Sequence, residues 1–165
     1  MIKKLTGEVW KPLVFSGSKL LRNRYAVSSL GRIASYKEEH VMWQIKEGIL
    51  NSGGNLALHL VGNLKHFVGF ILGGIPYTRE RDKEFSNKNI PLNELIRSID
   101  ETIAAINQTL VKITATDLEN LYPQSPLGYD MTVENFLLHL YGHLNYHLGQ
   151  VNYHRRLMEG YQVHS

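Results

Sequence analysis

Between residues 92 and 113, apolar side chains return at steps of three or four: Leu92, Leu95, Ile96, Ile99, Ile103, Ile106, Leu110 and Ile113. That period belongs to one face of an α-helix and does not fit a strand, whose faces alternate every second residue. A helix is predicted over 91–113, with Pro91 in the first turn, where its missing N–H is not needed. The same period predicts a helix over 52–73, through Leu56, Leu60, Leu64, Phe67 and Ile71. Ser52 is its expected N-cap and Gly73-Gly74 its end. Another helix starts at Thr132 and runs through Phe136, Leu140, Leu144 and Val151 to about Gly160. A fourth, over about 18–42, is expected from Leu20, Leu21, Ala26, Val27, Leu30, Ile33, Ala34 and Met42, with Gly31 as an interruption. The tracts 74–90 and 115–131 are polar and hold Pro76, Pro123, Pro126 and Gly128, so both read as long connections. No repeat, low-complexity segment or linker divides the chain, and one domain over 1–165 is expected. The fold class that follows is all-α: a four-helix bundle with two long connecting loops.

Composition narrows the chemistry. The chain has no cysteine, so a thiolate can serve neither as nucleophile nor as metal ligand. A transition metal would have to sit on imidazole or carboxylate. The net charge is only +3 and the Lys and Arg residues are scattered, so nucleic acid is not an expected partner. No segment is apolar enough for a membrane span, nor is there a charged-then-apolar leader, and a cytoplasmic location is expected. Nucleophile elbows, phosphate-cradling glycine loops and paired catalytic carboxylates have no counterpart here.

What remains is histidine, of which there are eight. His139, His143 and His147 follow one another at steps of four. Each step overshoots a full turn by about 40°, so neighbours among them share a face. A pair at i and i+4 can grip one ion from a rigid backbone but needs a ligand from elsewhere. His59, mid-helix among Leu56, Leu58 and Leu60, is the best candidate for it. The alternative is that these are hydrogen-bonded core histidines, each neutral and separately satisfied. Asn63 follows His59 by one turn, and Gln150 follows His147 by nearly one. Either could orient a ligand from behind or cap the bundle margin. Arg79, Arg81 and Glu84, in the first long connection, could anchor an anionic substrate or form a surface ion-pair cluster. Tyr146 and Tyr153 are expected to pack against a neighbouring helix.

Two tracts carry a family resemblance. One is Asn51-Ser52-Gly53-Gly54-Asn55-Leu56-Ala57-Leu58-His59-Leu60-Val61-Gly62-Asn63-Leu64. The other begins His143-Leu144-Asn145-Tyr146-His147-Leu148-Gly149-Gln150 and is similar to a His-x-x-x-His-x-Gly-Gln signature. Over about residues 33–157 the chain resembles the DinB/YfiT-like superfamily of metal-dependent bundle proteins. Thr78 to Phe85 resembles an Arg-rich connection in one uncharacterised branch of it. The resemblance implies metal ligands at His59, His143 and His147, with His139 a neighbour and no ligand role for His40, His66, His154 or His164. It also implies a homodimer and, in some relatives, transfer or isomerisation dependent on a low-molecular-weight thiol.

Three neutral imidazoles leave a divalent ion with open positions, as in catalytic zinc sites; zinc and nickel both suit such a donor set. The leading expectation is a metal-dependent enzyme of the DinB-like class. The alternative is a metal-binding bundle without turnover, in which the ion acts as a brace. A third reading comes from Trp10-Lys11-Pro12 and Arg24 to Ser35, which resemble a short DNA-binding module attached to homing-type endonucleases and would make residues 8–36 a separate unit.

Overall fold

The computed structural model describes residue 33 and residues 35–160. Among these the regular structure is helical, apart from one isolated bridge between Leu121 and Thr132. A 3-10 turn, Glu39–Trp43, precedes α1 (Gly53–Leu64), which runs without a break into a π-helical stretch, Lys65–Leu72. Then come α2 (Arg81–Ser86), α3 (Leu92–Leu110), α4 (Ala115–Glu119) and α5 (Val133–Met158). Both tracts expected as plain loops therefore contain a short helix. The second of these, α4, is set by a capping box, in which Thr114 and Asp117 satisfy each other's backbone N–H groups.

The helix ends follow the expected chemistry. The Ser52 hydroxyl accepts from the Asn55 N–H and the Thr132 hydroxyl from the Asn135 N–H, each satisfying a donor that the first turn leaves free. The helix that begins at Gly53 stops at Gly73-Gly74, with Gly74 at φ 65°, the left-handed conformation a helix terminus uses. Its second half is a wider π-helix, which the apolar spacing alone could not distinguish from α. The expected helix over 18–42 lies mostly outside the described residues. Where it can be compared it is corrected: residues 36–38 are non-helical, and Glu39–Trp43 form the short 3-10 turn. The proposed separate unit at 8–36 and His164 also lie almost wholly outside them.

α1 is the central element and packs against α2, α3, α5 and the 3-10 turn. Its buried face supplies Leu56, Ala57, Leu60, Val61 and Leu64 to a core shared with Leu95, Ile99 and Ile106 of α3 and Phe136, Leu137, Leu140 and Leu144 of α5. Close approach to α1 depends on its glycines. A Cβ at Gly54 would run into the Trp43 ring, one at Gly53 into the Tyr36 hydroxyl, and one at Gly62 into the Glu84 carboxylate. Glycine costs an exposed helix about 0.5–1 kcal/mol relative to alanine, and here it leaves room for three buried side chains. Tyr36 closes the far end: its hydroxyl donates to His154 Nδ1 at 2.7 Å, and His154 Nε2 donates to the Gln44 carbonyl at 2.9 Å. Both His154 nitrogens are thus engaged in holding residues 36–44 against α5, away from the other histidines.

The packing at Gly54 gives the first test. Gly54→Ala should destabilise the protein by about 1–3 kcal/mol through overpacking against Trp43. Thermal unfolding should show a lower midpoint, and a midpoint equal to or above that of the unaltered chain would contradict the packing described.

Candidate metal centre

Three side chains from two helices meet where α1 faces α5. His59, buried at 7 % exposure, comes from the middle of α1, and His143 and His147, both half-buried, come from successive turns of α5. The Nε2 atoms of His59 and His143 are 3.2 Å apart, and those of His143 and His147 are 3.1 Å apart. Among the described residues this is the one group of three that could hold a metal ion.

The opposite edges of the rings fix the tautomers. His59 Nδ1 lies 2.8 Å from Glu84 Oε2 and donates to it. His147 Nδ1 lies 2.7 Å from Gln150 Oε1 and donates to that. Both Nε2 atoms therefore present bare lone pairs toward His143 Nε2. If His143 carried its proton on Nε2 it could donate to only one of them at a time, and its Nδ1, buried and without a partner among the described residues, would be left as an orphaned acceptor. If the proton sits on Nδ1, three lone pairs face one another. A divalent cation bound to the three Nε2 atoms resolves this second arrangement by engaging all three lone pairs. Two nitrogens bound to one ion at about 2.1 Å in tetrahedral geometry lie about 3.4 Å apart, close to the separations seen, so the residues fit such an ion.

Glu84 is held as firmly as it holds His59. Arg79 donates to both its oxygens, from Nε at 2.7 Å and from Nη2 at 2.9 Å. Burial pushes the Glu84 carboxyl up, but the hydrogen bonds from His59 and Arg79 outweigh it, and the group stays below its ordinary value. The backbone around Glu84 is pinned by Asn55, whose amide donates to the carbonyls of Glu84 (3.0 Å) and Asn87 (2.9 Å), fastening α2 onto the start of α1. The Arg79 guanidinium also lies 5.5 Å from the centre of the Phe67 ring, which covers one of its faces.

Residues 18–165 match the sequence profile of a family described as "protein of unknown function (DUF1572)". The chain belongs to that family. DUF1572 lies within the DinB/YfiT-like superfamily. Comparison with curated proteins gives no match.

In this DUF1572 chain the other candidates fall into two groups. Glu84, Arg79 and Gln150 lie directly behind the histidine cluster. Arg81, on the exposed side of α2, does not reach it. Asn63 is buried one turn beyond His59, and its Oδ1 has no partner among the described residues. His139 is exposed, stacked beside Phe136 with its ring 6.3 Å from that of His143. His66 leans on Phe67 and Phe70 instead. Sequence reasoning missed the part played by Asn55. Its only signal was a buried-type amide directly after a capping serine and two glycines.

Charge at the cluster is set by burial. Burial, then the neighbouring His147 and His59 imidazoles, lowers the His143 pKa to about 4. His147 is lowered by burial despite its bond to Gln150, and His154 by burial despite its bond to Gln44. For each, the unfolded chain takes up its proton first, near pH 6.5, and the folded chain only at lower pH. In metal-free protein, stability should be full above about pH 6.5 and should fall as pH drops from there toward about 4. Urea unfolding at pH 7.5 and pH 5 checks this, and equal or greater stability at pH 5 would contradict the neutral, buried histidines.

The support behind His59 gives a second expectation. Glu84→Gln removes the charge that both His59 and Arg79 use, and metal affinity should drop about 10–100-fold, the usual effect of losing a partner behind a ligating histidine. A zinc titration with a competing chelator reads it, and unchanged affinity would mean that Glu84 plays no part in orienting His59.

Proposed function

We propose that this protein is a divalent-metal-dependent enzyme of the DinB-like class, with zinc or nickel held by His59, His143 and His147. The observation that carries the reading is the convergence of three imidazole Nε2 atoms whose partner nitrogens at His59 and His147 are already committed as donors. The donor set is neutral and three-membered, so the ion keeps its charge and open positions, unlike a structural site closed by four protein ligands. Bound there, the ion would lower the pKa of a coordinated water or thiol toward neutrality. The chain's own residues do the rest. Glu84 and Gln150 fix which nitrogen His59 and His147 present, and Arg79 keeps Glu84 ionised. The half-exposed His143 and His147 leave the α5 side of the cluster within reach of solvent.

The reaction class is proposed from the family alone: transfer of a group between a small-molecule substrate and a low-molecular-weight thiol. With it go a homodimeric state, a cytoplasmic location, and a single domain over 1–165 built as a four-helix bundle, of which the described residues contribute three long helices. Among the described residues no helix is long and apolar enough to cross a membrane.

Metal content after purification and reloading tests the site. His59→Ala, His143→Ala and His147→Ala should each lose most of the bound metal, while His66→Ala should retain it. Full metal content in all three ligand variants would refute the assignment. Removing residues 1–36 tests the single domain. It takes away Ile33 and Tyr36, both buried, and leaves His154 Nδ1 without its Tyr36 partner, and bundles of this size have only about 5–15 kcal/mol of stability to lose. Loss of helical circular dichroism together with loss of metal is expected. A folded, metal-loaded fragment would instead favour a separate N-terminal unit.

A further inference from the structure

Two of the three clustered histidines have an oxygen behind them. His59 Nδ1 donates to Glu84 at 2.8 Å and His147 Nδ1 to Gln150 at 2.7 Å. His143 breaks the pattern, because its Nδ1 is buried and has no partner among the described residues. With all three Nε2 lone pairs turned on an ion, the proton of His143 sits on that Nδ1. A buried N–H without an acceptor is unfavourable, and bulk solvent does not reach this one.

The acceptor can be found by elimination. Among the described residues the buried side-chain atoms without a partner are Trp43 Nε1, Asn63 Oδ1, His66 Nδ1, Thr109 Oγ1 and His143 Nδ1 itself. The Trp43 indole nitrogen only donates. The Thr109 hydroxyl lies against Gly73, at the far end of the π-helical stretch. The His66 ring leans on Phe67 and Phe70, away from the cluster. Asn63 remains: an amide oxygen on the helix that carries His59, in a residue only 7 % exposed.

The packing of the two helices puts Asn63 at the right level. The His59 and His143 rings are 5.1 Å apart between centres, and the Phe67 and Phe136 rings 5.2 Å. Between these two contacts the numbering rises along α1 and its continuation and falls along α5, so the helices run antiparallel. Asn63 lies midway between His59 and Phe67, and so faces the turn of α5 just before His143. Helical side chains lean toward the N-terminus of their own helix. In antiparallel helices that lean carries the Asn63 amide toward the level of His143 and the His143 ring toward the level of Asn63.

We propose that Asn63 is the positioning residue of His143, its Oδ1 taking up the Nδ1 proton through one buried water. No direct hydrogen bond joins the two atoms, and a donor and an acceptor facing across one helix contact are the partners a bridging water needs. The inference rests on the metal site proposed above and completes it: each ligand is then held with its proton on Nδ1 and its Nε2 free. The α1 ligand is backed by a carboxylate and the two α5 ligands by neutral amides. The one anion behind the site is Glu84, already paired with Arg79, so the ion keeps its charge.

The test uses the full chain and zinc alone. Asn63→Leu keeps the side-chain bulk and removes the acceptor, and a titration against a competing chelator should show affinity about 10–100-fold lower. Asn63→Asp retains an acceptor and should bind zinc at least as tightly as the unaltered chain. Equal losses in both variants would mean that Asn63 only packs, and would overturn the proposal. Long-range proton–nitrogen NMR of the zinc-loaded chain gives a readout that packing alone does not move. The His143 Nδ1 proton should exchange faster in Asn63→Leu and move downfield in Asn63→Asp, with the His59 and His147 protons unchanged. A His143 proton that is the same in all three chains would overturn the proposal, and if Asn63→Leu does not fold, the Asn63→Asp signal decides alone. An unaltered chain that binds no zinc would overturn the metal site and this role with it, whereas full affinity in Asn63→Leu would overturn the role of Asn63 only.

Discussion

A buried carboxylate shared between an arginine and a histidine is the contact on which the arrangement of this protein turns. Glu84 would be costly to bury alone, and Arg79 likewise. Together, with two hydrogen bonds between them, they make a neutral pair with one acceptor lone pair still available for His59 Nδ1. Much of the local structure serves this contact. Gly62 clears the space on α1 that the carboxylate occupies, and Asn55 holds the α2 backbone so that Glu84 arrives there. Losing the arginine would leave a buried anion, and losing the glutamate a buried cation. The interaction therefore specifies where α2 sits more than it adds to net stability.

The consequence is a cluster organised before anything binds. His59 and His147 have their Nδ1 protons committed to oxygen acceptors, and their free lone pairs point at His143. His143 is kept neutral by burial and by its two neighbours. In water, three imidazoles at this spacing would rotate apart or share protons. Packing denies them both options, and the proposed ion is the species that such an arrangement favours. The same packing separates His154, equally buried but engaged on both sides by Tyr36 and Gln44, from the cluster.

The parts that could be read from sequence are those governed by local rules. The stripe from Leu92 to Leu110 is a helix because its period admits nothing else, and Ser52, Thr132 and Gly74 end helices because of hydrogen bonding and backbone conformation at single residues. The three histidines singled out by spacing and resemblance do converge. What escaped notice depends on contacts between distant segments or on subtler backbone choices. The π-helix at Lys65–Leu72 keeps the same apolar residues as an α-helix would. The short helices at Arg81 and Ala115 are too brief to establish a period. The bond from Asn55 to Glu84 spans 29 positions with no pattern to announce it. Tyr146 and Tyr153, expected against a neighbouring helix because aromatic residues favour burial, are instead 64 % and 69 % exposed.

The central claim, one ion on three imidazoles, is tested most directly by X-ray absorption at the zinc edge on the reconstituted full-length protein. The account predicts one zinc per chain, with three nitrogen neighbours at about 2.0–2.1 Å showing the outer-ring scattering of imidazole, and lighter ligands completing the sphere. A first shell of oxygen alone, or fewer than two imidazoles per ion, would contradict it.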